Sequence, residues 1–255
     1  MDIVVCIKQV PETTEIGWNP ETGTLIREGM GGILNPNDKN ALEAALQLRA
    51  EHGGLITALS MGPPQAEEAL REALSMGVDK AILLSDRLFA GADTLSTSYA
   101  LSLALKKIAK FDLILCGKES SDAATAQVGP QLSELLNLPQ LTYAIQITIN
   151  KNSFRIKQRL EDGFRILETP FPALITVERE INQARIPPMD SIIEAYRDKE
   201  VEVWRGEDLG GDKEHFGLKG SPTQSRKVYS KKVKKGELTI LEGEPDEIAR
   251  KLIKC

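Results

Sequence analysis

Four times between residues 2 and 138 the chain passes from a short, wholly apolar run into a longer amphipathic one. The short runs are DIVVCI (2–7), LITALS (55–60), AILLS (81–85) and FDLILC (111–116). The long ones are NPNDKNALEAALQLRAEHGG (35–54), PQAEEALREALSMG (64–77), ADTLSTSYALSLALKKIAK (92–110) and TAQVGPQLSELLNL (125–138). Strands apolar throughout need cover on both faces, and the alternating helices supply it. The expected class is therefore α/β, a parallel sheet with helices on both faces and right-handed crossovers.

The pattern then changes. TYAIQITI (142–149), SFRIKQRLE (153–161), FRILET (164–169) and ALITVE (173–178) read as four successive strands, with Asn-Lys-Asn and Asp-Gly marking hairpin turns between the first three. Such a meander extends the sheet in an antiparallel sense. After about residue 180 the core signal fades. INQARIPPMDSIIEAYRDKE (181–200) holds a Pro-Pro bend and one short helix, and residues 205–236 are rich in Gly, Lys and Ser. PDEIARKLIK (245–254) reads as an amphipathic helix with Pro245 in its first turn. We divide the chain at residue 180: an α/β nucleotide-binding domain over 1–180 and a partner-docking arm over 181–255. The arm can lie across another subunit or trail as a tail. Its basic run RKVYSKKVKK (226–235) fits a solvated segment better than a site for an anionic partner.

A net charge of −5 gives no general affinity for nucleic acid or an anionic membrane. No apolar stretch approaches the roughly 20 residues of a membrane helix. The opening MDIVVCIKQV runs directly into a strand, without a basic leader, so a cytoplasmic protein is expected. Three scattered cysteines, Cys6, Cys116 and Cys255, suit a reducing compartment. Cys6 and Cys116 lie in strand patterns and read as small buried hydrophobes. His52, in a helix-end context, and His215 are too few and too far apart for a metal site.

In an open parallel sheet, ligands bind outside the carboxyl ends of the strands. Four loops fall there: KQVPETTE (8–15), MGPPQ (61–65), DRLFAGADT (86–94) and the stretch around SSDAATAQVGP (120–130). None carries the usual Gly-rich dinucleotide or Walker fingerprint. The last is longer than a strand-to-helix turn requires, and it has the parts for a phosphate. A helix N-terminus offers unpaired N–H groups. Ala123, Ala124 and Ala126 keep side chains out of the way, and Ser121, Thr125 and Gln127 bring neutral hydrogen-bond groups. Asp122 would repel phosphate, so helix capping or a ribose hydroxyl is the better role for it. Capping is an equally fair reading of Thr125. No catalytic Ser-His-Asp, Cys-His or metal constellation is present, which points to a bound cofactor that does the chemistry.

VVCIKQVPET, ILNPNDKNALEAAL, SMGPPQAEEALREALSMGVDKAILLSD, AQVGPQLSELLNLPQ and EDGFRILETPFPALITV together resemble the small (beta) subunit of electron-transfer flavoproteins, in order and over nearly the whole chain. The resemblance implies a Rossmann-like α/β domain and a C-terminal arm that embraces the large (alpha) subunit, which carries its own FAD. One branch of the family holds AMP in the small subunit. The other holds a second FAD there, takes a hydride from NADH and bifurcates its electrons. SDRLFAGADTLSTSYAL (85–101) resembles the second branch.

That likeness implies an adenine-nucleotide cradle of Cys6, Asn35, Asp38, Met61, Gly62 and the run from Ser120 through Ser121, Asp122, Ala123, Ala124, Thr125, Ala126, Gln127, Val128 and Gly129, up to residue 131. Asp93, Thr94 and Thr97 would lie toward the ribityl-flavin part. RIPPMDSIIEAY (185–196) matches the docking loop for partner dehydrogenases, with Met189 and Ile192 as apolar anchors. Implied partners are the alpha subunit, an acyl-CoA dehydrogenase-type or lactate dehydrogenase-type flavoprotein, and ferredoxin or flavodoxin. The chain departs from the family pattern at Ser120-Ser121 and Ala123-Ala124, losing an acid after Asp122, and at Phe164 and Arg165 in a hairpin read as structural. Two rivals stand beside this reading: a non-bifurcating subunit with AMP, and a nucleotide-binding module with no redox role.

Overall fold

Strand β1 (Ile3–Ile7) sends Ile3, Val5 and Ile7 into one apolar cluster and Val4 and Cys6 into another. That alternation places a core on each face of the sheet to which β1 belongs. The computed structural model describes residues 1–12, 18–19, 24–25, 32–223 and 240–253. The chain divides into two compact units, Met1–Gln224 and Ser225–Cys255.

In the first unit β1 lies near the middle of a nine-stranded sheet. The other strands are β2 (Ile56–Met61), β3 (Lys80–Leu84), β4 (Leu113–Gly117), β5 (Gln140–Asn150), β6 (Ser153–Leu160), β7 (Gly163–Pro170), β8 (Ala173–Val177) and β9 (Val201–Trp204). Their order is β7-β6-β5-β8-β4-β1-β2-β3-β9. Strands β8, β4, β1, β2, β3 and β9 run parallel, and β5 joins β8 in the same sense. Within this sheet, only the β5–β6 and β6–β7 pairs are antiparallel.

One face is covered by helices α1 (Pro36–His52) and α2 (Glu67–Met76), whose Leu42, Leu46, Leu70 and Leu74 join Ile3, Val5 and Leu83. The other is covered by α3 (Thr94–Ile108) and α4 (Val128–Leu136), whose Leu101, Leu105 and Leu132 meet Val4, Ile82 and Ile114. Each such fully buried aliphatic side chain contributes about 1.5–3 kcal/mol. The helix limits follow from local chemistry. Pro36 sits in the first turn of α1. Asp93 caps α3 by accepting from the N–H groups of Leu95 and Ser96. Gly77, with φ 112°, ends α2.

Two expectations need correction. ALITVE is not the fourth strand of a meander. As β8 it crosses back between β5 and β4 and pairs parallel with both, because Ala173–Val177 is buried at every position. The chain also keeps contributing to the core after residue 180. Strand β9 extends the sheet beside β3, Ala195 and Val201 are buried, and Phe216 is buried edge-on to Phe89 with ring centroids 5.3 Å apart. Helix α5 (Met189–Arg197) is held on α2 by Arg71, whose guanidinium donates to the carbonyls of Ala195 and Lys199 at 2.6 Å. Lone apolar residues in polar surroundings gave no periodicity to detect.

In the second unit, helix α6 (Pro245–Ile253) has acids in its first turn and bases in its last, as the helix dipole favours. The run 226–235 and Cys255 lie outside the described residues. Among the described residues no helix is long and apolar enough to cross a membrane.

Candidate functional site

The carboxyl ends of β1 and β4 are stitched together by one buried carboxylate. Asp38, in the first turn of α1, accepts from the N–H of Lys8 at 2.8 Å and from the N–H of Gly117 at 3.1 Å. A Cβ on Gly117 would stand 2.4 Å from Asp38 Oδ1, so the approach requires glycine. Burial pushes the Asp38 carboxyl up to about 7, against the hydrogen bonds from Asn35, Lys8 and Gly117 that pull it down. Asn35 is also buried, and although it is the N-cap residue of α1 its side chain makes no capping bond. Its amide donates to the Glu119 carbonyl at 2.9 Å and its oxygen accepts from the Ser121 N–H at 3.1 Å, so it clamps the loop that follows β4.

That loop is held from the other side by Lys8. Its ammonium lies 2.6 and 2.8 Å from the two Asp122 oxygens and 3.4 Å from the Ser120 hydroxyl. Asp122 therefore neither caps α4 nor repels anions as a bare charge. Its side chain is 5 % exposed and carries a cation against it. The helix starts at Val128, not Thr125, and its N-cap, Gln127, makes no side-chain capping bond, so the capping reading fails for Asp122 and Thr125 alike.

Ala124 and Ala126 both adopt left-handed backbone, with φ 48° and 54°. Such strain in non-glycine residues concentrates at ligand clamps. Right-handed Gln127 (φ −99°, ψ −29°) follows left-handed Ala126, an alternation that aims successive amides into a common concavity. Ala123 and Ala124 close a turn onto the Ser120 carbonyl. Gly129 lets α4 approach β8, since a Cβ there would meet Thr176 Cγ2 at 2.6 Å.

The loop after β3 shares a rim with this one. Thr94 Oγ1 donates to Gln127 Oε1 at 3.0 Å and accepts from Gln131 Nε2 at 3.2 Å. Thr97 is half-buried one turn further along α3. Asp93 has a different task. Its carboxylate takes the N–H groups of Leu95, Ser96 and Thr223 at 3.0–3.1 Å. Burial raises its pKa, but the Ser96 and Thr223 bonds outweigh that and hold it below the usual carboxylate range. Met61 and Gly62 close the floor beside α2, where a Cβ on Gly62 would lie 2.8 Å from that of Ala66. Cys6 and Cys116 are buried opposite each other on β1 and β4. The hydrogen bond to Cys6, with burial, holds the Cys116 thiol well above its ordinary value.

The assembled mouth thus offers one ammonium, a hydroxyl and a strained run of amides at a helix start, which is a donor set for phosphate. Among the described residues no group of His, Cys, Asp and Glu is placed to hold a metal. Lys8 was missed as a site residue. It stood inside a loop already recognised, but only the fold brings it to Asp122, 114 positions away.

Residues 22–209 match the model of the electron transfer flavoprotein domain. The chain belongs to the electron transfer flavoprotein family. It is 47% identical to the electron transfer flavoprotein subunit beta of Clostridium acetobutylicum over 234 residues, 92% of this chain and 90% of that one. It is 44% identical to the caffeyl-CoA reductase-Etf complex subunit CarD of Acetobacterium woodii, over 99% of this chain and 97% of CarD. It is also 44% identical to protein FixA of Azorhizobium caulinodans, over 95% and 89%.

In this electron transfer flavoprotein chain the expected docking anchors separate. Met189, at the start of α5, is 69 % exposed, whereas Ile192 is half-buried. Ile186 and Ile193 are exposed like Met189, and Tyr196 is exposed at its ring while its hydroxyl donates to Glu68 of α2 at 2.8 Å. Helical spacing had found the element, but which face α5 buries is decided by Arg71 and the Ala195 contact.

Proposed function

We propose that this chain is the beta subunit of a heterodimeric electron-transfer flavoprotein that binds FAD and accepts a hydride from NADH. It bifurcates the electrons to ferredoxin or flavodoxin and, through the FAD of an alpha subunit, to a partner flavoprotein dehydrogenase. The family membership supports the pairing with an alpha subunit. The observation that carries the choice of FAD is the shared rim: Thr94 bonded to Gln127 makes the loop after β3 continuous with the loop after β4. A mononucleotide would need only the second loop, whereas the larger flavin dinucleotide would span both.

The residues present fit the group. Lys8, Ser120 and the amides of the run from Thr125 to Val128 would hold the pyrophosphate. Asn35 and Asp38 would keep those groups in place without touching it, and Thr94 and Thr97 would flank the remainder. When bound, a flavin accepts two electrons as a hydride and releases them singly. The chain's own part is to position the ring and exclude water, with no covalent catalyst. The exposed Ile186, Met189, Ile193 and Tyr196 would serve the dehydrogenase partner. The name of CarD's complex, with its caffeyl-CoA reductase, is consistent with an acyl-CoA-type partner.

The test is the cofactor content of the heterodimer purified with its alpha subunit. Two flavins per pair support the reading, and one flavin with one AMP overturns it. Ferredoxin reduction by NADH that depends on the oxidised dehydrogenase substrate establishes the coupling.

A further inference from the structure

Outside the cradle, the described residues form a cleft rich in cations. It has a volume of about 650 Å³ and is lined by Ser85, Asp86, Arg87, Leu88, Arg205, Glu207 and Lys213. It opens at the carboxyl ends of β3 and β9, on the same edge of the sheet as the cradle, because all these strands are parallel. From β1 outward it lies two to three strands away, on the order of 10–15 Å at roughly 4.8 Å per strand.

The charges in this cleft are unevenly engaged. Among the described residues, none of Arg87, Arg205 and Lys213 forms an ion pair. The neighbouring acids are mostly occupied. Asp86 accepts from the N–H groups of Leu88 and Gly206, both at 3.0 Å. Asp208 accepts from the Arg205 N–H at 2.7 Å, and Glu214 pairs with Lys219 at 2.8 Å. Glu207 is the remaining acid in the lining. The floor is fixed in place: Gly206 is buried, and a Cβ there would strike Leu88 Cδ2 at 2.7 Å. A protein with a net charge of −5 thus keeps three cations outside any described ion pair around this cleft, with Arg205 acting on Asp86 only through space.

We infer that this cleft binds the pyrophosphate of the dinucleotide that delivers the hydride. Arg87, Arg205 and Lys213 grip the phosphates, and Glu207 and the Ser85 hydroxyl face the adenosine ribose. Guanidinium groups suit the planar oxygens of a pyrophosphate. A carboxylate accepts from a ribose diol and repels a 2′-phosphate, so Glu207 selects NADH over NADPH. The nicotinamide half then extends along the strand ends toward Thr94 and the cradle. This inference rests on the proposed NADH reading and names the part of the chain that anchors that substrate.

The experiment uses the intact heterodimer with its cofactors bound, so that the cradle is already filled. NADH-dependent flavin reduction is measured first, then the affinity of ADP-ribose by calorimetry, for wild type, R87Q, R205Q and E207Q. The expected result is that R87Q and R205Q each raise the KM for NADH and weaken ADP-ribose binding about tenfold, with flavin content unchanged. E207Q narrows the preference for NADH over NADPH. Unaltered NADH kinetics in both arginine variants, or a loss of ADP-ribose binding without any change in KM, overturns the cleft assignment and leaves the NADH reading standing. Loss of flavin in the arginine variants also overturns it, since the cleft would then belong to the resident cofactor. A wild-type complex that NADH does not reduce overturns the underlying reading, and the inference with it.

Discussion

Two carboxylates at the mouth of the sheet behave in opposite ways, and the difference is a matter of who pairs them. Asp122 has an ammonium across both oxygens, whereas Asp38 has backbone N–H donors and full burial. With its folded pKa raised from 3.8 to about 7, Asp38 binds its proton more tightly in the fold than in the unfolded chain. Its contribution to stability is complete below about pH 4 and is lost as pH rises through about 7. The Asp38→Asn variant cannot titrate. Between pH 5 and 8 the unfolding free energy of the wild type should therefore fall relative to the variant, by on the order of 2–3 kcal/mol. Urea unfolding at several pH values checks this, and parallel curves would refute it. At the other carboxylate, Lys8→Met takes the cation from Asp122 and should lower stability by about 1–3 kcal/mol. It should also reduce retention of the nucleotide on purification. Because the two side chains act as a pair, Lys8→Met/Asp122→Asn should recover part of the stability but not the nucleotide, a double-mutant cycle read by unfolding and by bound-nucleotide content.

At the scale of elements, the site depends on how closely helix α4 lies on strand β8. Gly129 sets that distance. Gly129→Ala forces Thr176 or the helix to move, at about 1–3 kcal/mol. The movement carries the left-handed Ala124 and Ala126 with it, so nucleotide affinity should fall more than stability does. Calorimetric binding beside thermal unfolding separates the two effects. The same elements show what could be read in advance. Strands β1–β4 and helices α1–α4 were legible because each is apolar with an unbroken period, and so were the hairpin turns at Lys151 and Asp162-Gly163. The start of α4 was misplaced by three residues, since Thr125 and Ala126 are helix-compatible and only the left-handed φ of Ala126 keeps them out. The position of β8 was not legible either. A run buried on both faces says that it is central, not which strands flank it. The small residues of 120–129 marked the loop as one the backbone could offer to a ligand, but the side chains that organise it, Lys8 and Asn35, reach it from more than 80 positions away.

For the whole molecule, the question is where the α/β body ends. The compact unit runs to Gln224, well beyond the point where apolar periodicity fades. Arg185 bonds Glu43 at 2.7 Å, Asn182 exchanges amide bonds with Asn40, and Thr223 donates its N–H to Asp93, so the segment after residue 180 is tied to α1 and α3 at three places. Removal at residue 180 would strip β9 from the edge of the sheet, leaving β3 unpaired on that side, and uncover Phe89 by deleting Phe216. Removal after Gln224 cuts none of these bonds. A chain ending at Gln224 should therefore keep its helical circular dichroism and unfold within a few degrees of the full chain, whereas one ending at residue 180 should aggregate. The residues beyond Gln224 include an amphipathic helix whose Leu252 and Ile253 are 68 % and 85 % exposed, which suits a role in binding the alpha subunit. The shorter chain should then fail to co-purify with that subunit while remaining folded. If it co-purifies as well as the full chain does, the grip on the alpha subunit lies in the nine-stranded body and α6 is dispensable for assembly.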